Sequence, residues 1–461
     1  RIMKKETYSA YKESGVSWLG NIPEHWEIRR IKYVFNEVNE RSETGNEDLL
    51  SVSQYTGVTK KSDKIADGEN ISNAKTLVGY KTVGKGDLVI NIMLAWNGSL
   101  GISPYDGITS PAYSVYRLIE GNEKYFGYLF TTPNAKQEFK KQSTGIIDSR
   151  LRMYTDSFFN IKTALPPISE QTAIANFLDY KLEKINRFIT KKKQLIALLT
   201  EQKAAIINQA VTKGISPNAK LKPSGIDWLG DIPEHWEVVK LTGVSSFVRG
   251  NSSFKKDELL SKGKYVALQY GKTYKVDEVD EKFKFYVNDE FYKVSQVVNF
   301  GDIIIVSTSE TIEDLGHSVF YNRSDLGLLG GEQMLLKPNN IIVDEKYLYY
   351  SSKVFTKELR KYATGVKVYR FNKNDLKTIY TSVPPIQEQK EIVNFIESEH
   401  TKLNKTISTI EKEITLVEEY RTALITEAVT GKIDVRDFKI PEKEAPLAMV
   451  AEDATAYNIK E

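Results

Sequence analysis

Residues 14–27 read Ser-Gly-Val-Ser-Trp-Leu-Gly-Asn-Ile-Pro-Glu-His-Trp-Glu, and residues 224–237 read Ser-Gly-Ile-Asp-Trp-Leu-Gly-Asp-Ile-Pro-Glu-His-Trp-Glu. Eleven of the fourteen positions are identical at an offset of 210, and four of the five tryptophans (Trp18, Trp26, Trp228, Trp236) lie in these copies. Self-similarity at so long a period means a duplicated structural unit. Downstream, Gly86-Asp87-Leu88-Val89-Ile90 matches Gly301-Asp302-Ile303-Ile304-Ile305, each a strand candidate entered through a glycine turn. Glu123-Lys124-Tyr125 answers Glu345-Lys346-Tyr347, and Thr144-Gly145 answers Thr364-Gly365. Arg150 and Arg370 stand five residues past those last glycines and are expected to be counterparts. The copies converge on Pro166-Pro167-Ile168-Ser169-Glu170-Gln171 and Pro384-Pro385-Ile386-Gln387-Glu388-Gln389, and the offset of 218 then holds to Ala210-Val211-Thr212 and Ala428-Val429-Thr430.

Each proline pair is a natural stop before a helix, because the residue before proline is pushed out of the α region. No Pro or Gly follows until about residue 212 in one copy and 430 in the other. Ile396, Leu403, Ile410, Val417 and Leu424 recur every seven residues, and Leu178, Ile185, Leu199 and Ile206 repeat the pattern in the first copy. Lys192, Lys203 and Arg421 interrupt it. A heptad sustained this long predicts a coiled-coil seam, although two independent amphipathic helices lying on their own domains would give a similar pattern. Charge decides between them. Residues 166–213 carry eight Lys/Arg against four Asp/Glu, whereas 384–431 carry five against nine. Helices of matched length and opposite charge are suited to pair with each other, as rods of roughly 65–70 Å.

The expected architecture is therefore α+β: two similar globular domains separated by two long helices forming an antiparallel coiled coil, with internal pseudo-two-fold symmetry. The expected segments are 1–20, a first globular domain 21–165, a central helical region 166–213, a linker 214–227, a second globular domain 228–383, a distal helical region 384–431 and a tail 432–461, whose role the sequence leaves open.

Composition narrows the function. The 461 residues are 41% hydrophobic and 27% charged, which suits ordinary globular packing. Sixty-four basic against 61 acidic residues exclude a histone-like mode of nucleic-acid binding. The absence of cysteine removes disulfides and thiolate chemistry. No apolar run is long enough for a membrane helix, so a soluble, cytoplasmic protein without membrane contact is expected. The four histidines (His25, His235, His317, His400) have no metal-ligand spacing, and no metal, cofactor or catalytic residue is expected. Gly79-x-x-x-x-Gly84-Lys85 resembles a phosphate loop, but Gly86 stands where a hydroxyl residue should follow, so it reads as a turn.

Two like heads at a fixed separation suit a two-part target, of which DNA is the commonest with a regular repeat. The loops after the matched strands diverge: Asn91 to Gly98 contains Met93, Trp96 and Asn97, while Ser307-Thr308-Ser309-Glu310-Thr311 is rich in hydroxyls. Candidate DNA-contacting residues are Asn91, Asn97, Lys141, Arg150, Arg152, Arg249, Ser307, Thr308, Lys367, Tyr369 and Arg370, since Arg, Asn and Ser/Thr suit base edges and phosphates. For Arg150 and Arg370 the plainer role is bracing a loop against a carboxylate, and for Trp96 it is packing. Both heads are close to neutral, with 18 basic against 17 acidic residues in 21–165 and 22 against 21 in 228–383. Heads so balanced need a partner that adds positive surface, because phosphate neutralisation supplies much of DNA affinity.

The Trp-Leu-Gly-x-Ile-Pro-x-His-Trp opening of each half and the Pro-Pro-Ile-x-Glu-Gln entry to each long helix resemble the specificity subunits of type I restriction–modification systems. The resemblance covers residues 8–438. It implies a non-catalytic subunit with two target recognition domains, each reading one half of an asymmetric bipartite DNA site. The helices would set the spacer and dock two adenine-methylating modification subunits, and endonuclease/translocase subunits would join them to cut. The alternatives are a self-contained DNA-modifying enzyme, for which no Asn/Asp-Pro-Pro-aromatic motif is present, and a coiled-coil scaffold with no nucleic-acid role.

Overall fold

The computed structural model describes residues 7–64, 74, 76–252 and 254–441. Internal contacts divide the chain into two units, one built from the described residues of Arg1–Lys192 and Lys412–Glu461, the other from Lys193–Glu411. The long helices Ile168–Lys213 and Ile386–Val429 are each continuous, and each passes from one unit to the other.

In the first unit, strand Glu27–Arg30 pairs antiparallel with Lys162–Leu165, so the globular head begins and ends side by side. Between them, Phe35–Val38, Tyr113–Leu118, Leu88–Asn91 and Leu100–Ile102 form an antiparallel sheet in that spatial order. Strand Leu88–Asn91 is buried on both faces, which is why its first three residues are all apolar. The pleat sends Leu88 and Ile90 into an aromatic core with Phe35, Tyr116, Phe126, Phe130 and Phe158. It sends Val89 toward Leu50, Val52, Val83 and Val115. A smaller sheet lies on that side: hairpin Leu50–Ser53/Gly57–Lys60 and ribbon Lys81–Val83/Gly107–Thr109, linked by a parallel bridge from Leu49 to Ile108.

The second unit repeats this plan. Ser245–Arg249, Gln333–Pro338, Ile303–Val306 and Ser318–Tyr321 take the same spatial order, and Glu278–Val279 adds a parallel edge strand. Tyr286–Val287, Tyr265–Leu268, Gly327–Leu329 and Val297–Val298 form the counterpart of the smaller sheet, again with a parallel central pair.

The long helices pair antiparallel within each unit. In the first, Lys192 Nζ lies 2.8 Å from Glu413 and Arg421 donates to Asn186 Oδ1 at 3.2 Å. In the second, Lys203 Nζ donates to Asn404 Oδ1 at 2.8 Å, while Ser382, just ahead of one helix, reaches Val211 O near the end of the other at 2.7 Å. Leu178, Ile396, Ile410 and Leu424 are buried in the seam, and Ile185, Leu199, Ile206, Leu403 and Val417 are half-buried. The three residues that interrupt the heptad thus each make a polar contact across it. Lys203–Asn404 and Arg421–Asn186 are one contact made once in each unit, a device that fixes register where an all-apolar seam could slip.

The helix ends explain the repeated Ala-Val-Thr. Ala428 and Val429 lie in the core of the first unit, and Ala210 and Val211 in the core of the second. Tyr125 OH donates to Val429 O at 3.1 Å, and Tyr347 OH to Val211 O at 3.5 Å. Each head therefore closes on the start of its own long helix and on the end of the other. Among the described residues, no helix is long and apolar enough to cross a membrane.

Candidate nucleic-acid interface

The two repeated motifs meet in one clasp. Glu170, in the first turn of its helix, accepts a hydrogen bond from Trp26 Nε1 at 2.9 Å and lies 2.6 Å from His25 Nε2. Glu388 does the same with Trp236 at 3.1 Å and His235 at 2.7 Å. A carboxylate is favoured there because the first-turn N–H groups carry positive partial charge. Gln171 donates to Pro166 O and accepts from Asn122 N, both at 2.8 Å, while Gln389 donates to Pro384 O and accepts from Asp344 N at the same distances. Asn122 and Asp344 in turn cap the helices Glu123–Thr131 and Glu345–Phe355. The motifs that betray the duplication are thus a frame, whose Trp, His, Glu and Gln side chains are engaged with one another and with the helix entries. Among the described residues, no cluster of His, Asp or Glu could hold a metal.

The loops that this frame carries are where the heads differ. In the first head, Thr144 and Arg152 exchange two backbone hydrogen bonds of 2.9 Å; in the second, Thr364 and Arg370 exchange two of 3.0 Å. Met153 N then bonds to Ile92 O, and Phe371 N to Ser307 O, which locks the same register onto the matched strands. The expected pairing of Arg150 with Arg370 is therefore corrected: Arg152 is the structural counterpart of Arg370. The first loop is two residues longer, so equal spacing from the glycine misleads. Gly145 and Gly365 have φ of +150° and +115°, and a Cβ on either would meet its own loop's backbone.

Of the residues expected to face DNA, Lys141, Arg150, Arg249, Lys367 and Arg370 are exposed, and Asn97, Arg152 and Tyr369 are half-buried. Asn91, Ser307 and Thr308 turn inward and are buried. Asn91 Oδ1 accepts from Met93 N at 3.1 Å, and Thr308 donates to Glu332. These groups sit where a strand ends, and a short polar side chain there closes the turn rather than reaching outward. Asn97 is likewise engaged with Ser99, from N at 3.2 Å and Oγ at 2.9 Å.

In the second head, Thr308–Ser309 pairs with Tyr369–Arg370, which brings the hydroxyl-rich loop and the basic loop onto one ribbon. Arg370 Nε lies 3.9 Å from Glu332, the carboxylate brace anticipated for it. In the first head the brace is different. Lys140 Nζ sits 5.2 Å from the centre of the Trp96 ring and 2.8 Å from Asp148, tying the strand-end loop to the loop that follows Gly145. Sequence reasoning missed Tyr270 and Tyr274, which stack with centroids 5.5 Å apart, with Lys275 over Tyr274. Burial, then the charge of Glu310, raises the Tyr270 pKa. The pair's i, i+4 spacing, from the first residue of a one-turn helix to its C-cap, was the available signal.

A family model described as the type I restriction modification DNA specificity domain matches residues 23–198 and again 233–416. The type I restriction enzyme MjaVIII specificity subunit of Methanocaldococcus jannaschii is 27% identical over 451 residues, covering 90% of this chain and 95% of that one. The putative MjaX specificity subunit of the same organism is 27% identical over 467 residues, covering 92% and 98%. A solved chain described under "complex assembly and conformational transition of the type I R-M system" aligns with a TM-score of 0.66 at 15% identity, over 89% of this chain and 99% of that one. That is a likeness of fold.

Proposed function

Because the chain belongs to the type I restriction modification DNA specificity family, whose domain model matches it twice, we propose that it is the recognition subunit of such a complex, with each head reading one half of an asymmetric bipartite DNA site. One observation carries this reading. The frame is repeated down to its clasp and its capped helices, while the loops set on it differ in length, charge and bracing. Exposed Arg150, Lys141, Arg249, Lys367 and Arg370, with the half-buried Arg152 and Tyr369, are the protein's groups for bases and phosphates. The near neutrality of both heads supports a division of labour, in which methyltransferase subunits docked on the helices supply positive surface and the chemistry, and endonuclease/translocase subunits join them. The chain itself, on this reading, catalyses nothing: adenine methylation and ATP-dependent cleavage belong to its partners.

The test is a map of methylated adenines in cells expressing the whole complex. Exchanging residues 240–375 for those of another family member should change one half-site and leave the other intact. Changes in both halves overturn independent reading. The continuous helices are proposed as the ruler between half-sites. Inserting one heptad into each helix adds about 10 Å of rise and should lengthen the spacer by about three base pairs. A methylated motif with its spacer unchanged overturns the ruler.

A further inference from the structure

The loops that follow Gly145 and Gly365 carry an apolar residue at the same place. Ile146 is wholly exposed and Val366 is 93% exposed, and Ile147 and Val368 behind them are exposed as well. A single exposed aliphatic side chain means little. Here, however, the loops differ in length, in bracing and in charge, yet both keep a β-branched residue directly after the left-handed glycine. Neither loop hangs loosely. Each is closed by a two-way backbone bridge, Thr144 with Arg152 and Thr364 with Arg370, so the two ends of each loop are pinned together.

We infer that Ile146 and Val366 are base-reading residues, each seated against the 5-methyl group of a thymine in the major groove of its half-site. This rests on the DNA-recognition reading above and adds to it a chemistry that the polar candidates do not supply. The thymine methyl is the apolar mark on the base edges, and it is displayed in the major groove. Arg150 and Lys367, exposed on the same two loops, would take the neighbouring polar edges or phosphates.

The test deletes one methyl at a time from each partner. The complex of this chain with its methyltransferase subunits is titrated against duplexes in which single thymines of one half-site are replaced by deoxyuridine. Wild type should lose about five-fold in affinity at one such position per half-site. Ile146→Ala should weaken binding to the thymine duplex by a similar factor and show no further loss with deoxyuridine in its half-site, while the other half-site stays sensitive. Val366→Ala should do the converse, and Ile146→Val should restore most of the affinity. An apolar contact releases no counterion, so the salt dependence should not change, whereas Arg150→Ala should make it shallower. Alanine variants that keep full affinity, or that keep wild-type sensitivity to deoxyuridine, overturn the inference. A wild-type complex with no sequence preference at all overturns the recognition reading instead.

Discussion

The two heads are built on one plan and differ in how firmly each part of it is held. Asp87 and Asp302 follow the matched glycines and are the same position in the fold, as are Arg117 and Lys337 opposite them. In the first head, Arg117 grips Asp87 with two parallel bonds of 2.9 Å; in the second, Lys337 reaches Asp302 with one of 3.3 Å. A planar guanidinium matches both oxygens of a carboxylate, and an ammonium does not. The second head makes up for this elsewhere. Arg323, its side chain only 4% exposed, binds Asp325 at 2.6 and 2.7 Å and the carbonyls of Asp280 and Phe283 at 3.0 and 3.2 Å. That knot holds the stretch that adds the edge strand Glu278–Val279, which has no counterpart among the described residues of the first head. The frame is thus constant in geometry, and the fastening is local to each head.

Three changes bear on that contrast. The largest effect is expected at Arg323. Replacement by Met leaves the buried Phe283 carbonyl without its donor, while Asp280 O keeps the Phe283 N–H at 3.1 Å, and takes the guanidinium from Asp325; it should cost about 2–4 kcal/mol. Hydrogen exchange should show the loss in the Lys193–Glu411 unit alone, and equal deprotection of the other unit would sink the idea of local fastening. Next come the glycines that end the long helices, both with positive φ: +70° at Gly431 and +76° at Gly214. A Cβ on Gly431 collides with Pro23, but on Gly214 its nearest neighbour is Trp236 Cζ2 at 3.3 Å. Gly431→Ala should therefore cost about 2–4 kcal/mol, and Gly214→Ala about 1 kcal/mol. Denaturant midpoints that rank them the other way would show that the two helix ends are not held as described.

The smallest effect is a pH dependence. Burial holds the Asp302 carboxyl above the usual carboxylate range, against the opposing pull of Asn299 N–H and Lys337. A carboxyl whose pKa is raised by folding binds its proton more tightly in the native state. The stability it contributes is present at low pH and is lost as pH rises from its unfolded pKa through its folded one. Asp302→Asn should flatten that part of the urea-midpoint profile. A steeper profile in the variant would reverse the sign assigned here.

Much of the fold was legible because duplication doubles every signal. The Trp-Leu-Gly and Pro-Pro-Ile motifs gave the frame, and the heptads gave the seam, down to its three charged interruptions. What stayed hidden depends on contacts far apart in sequence. Nothing in Ala428-Val429 announces that it completes the core of the first head. Glu170 stands in the first turn of its helix, and its partners His25 and Trp26 lie some 145 residues away. The site was less legible than the fold. Asn91 and Thr308 have side chains suited to DNA, but their place at strand ends turns them inward. The equal spacing of Arg150 and Arg370 concealed a two-residue difference in loop length that only the backbone pairing reveals. Nothing in the sequence around Ile146 and Val366 distinguishes an exposed apolar loop residue from a packed one.

The closure of the first head has a consequence for the order of events at the ribosome. The Lys193–Glu411 unit is one contiguous stretch, so everything it needs is available once residue 411 has emerged. The other unit needs Ala428, Val429, Ile433 and Val435 in its core, Lys432 on Asn21 O and Arg436 over Tyr8, all from the far end of the described chain. At about 5–20 residues per second, the part made first waits tens of seconds for the segment that completes it. The head synthesised first is the one finished last, and through that interval its open core is what a chaperone would meet.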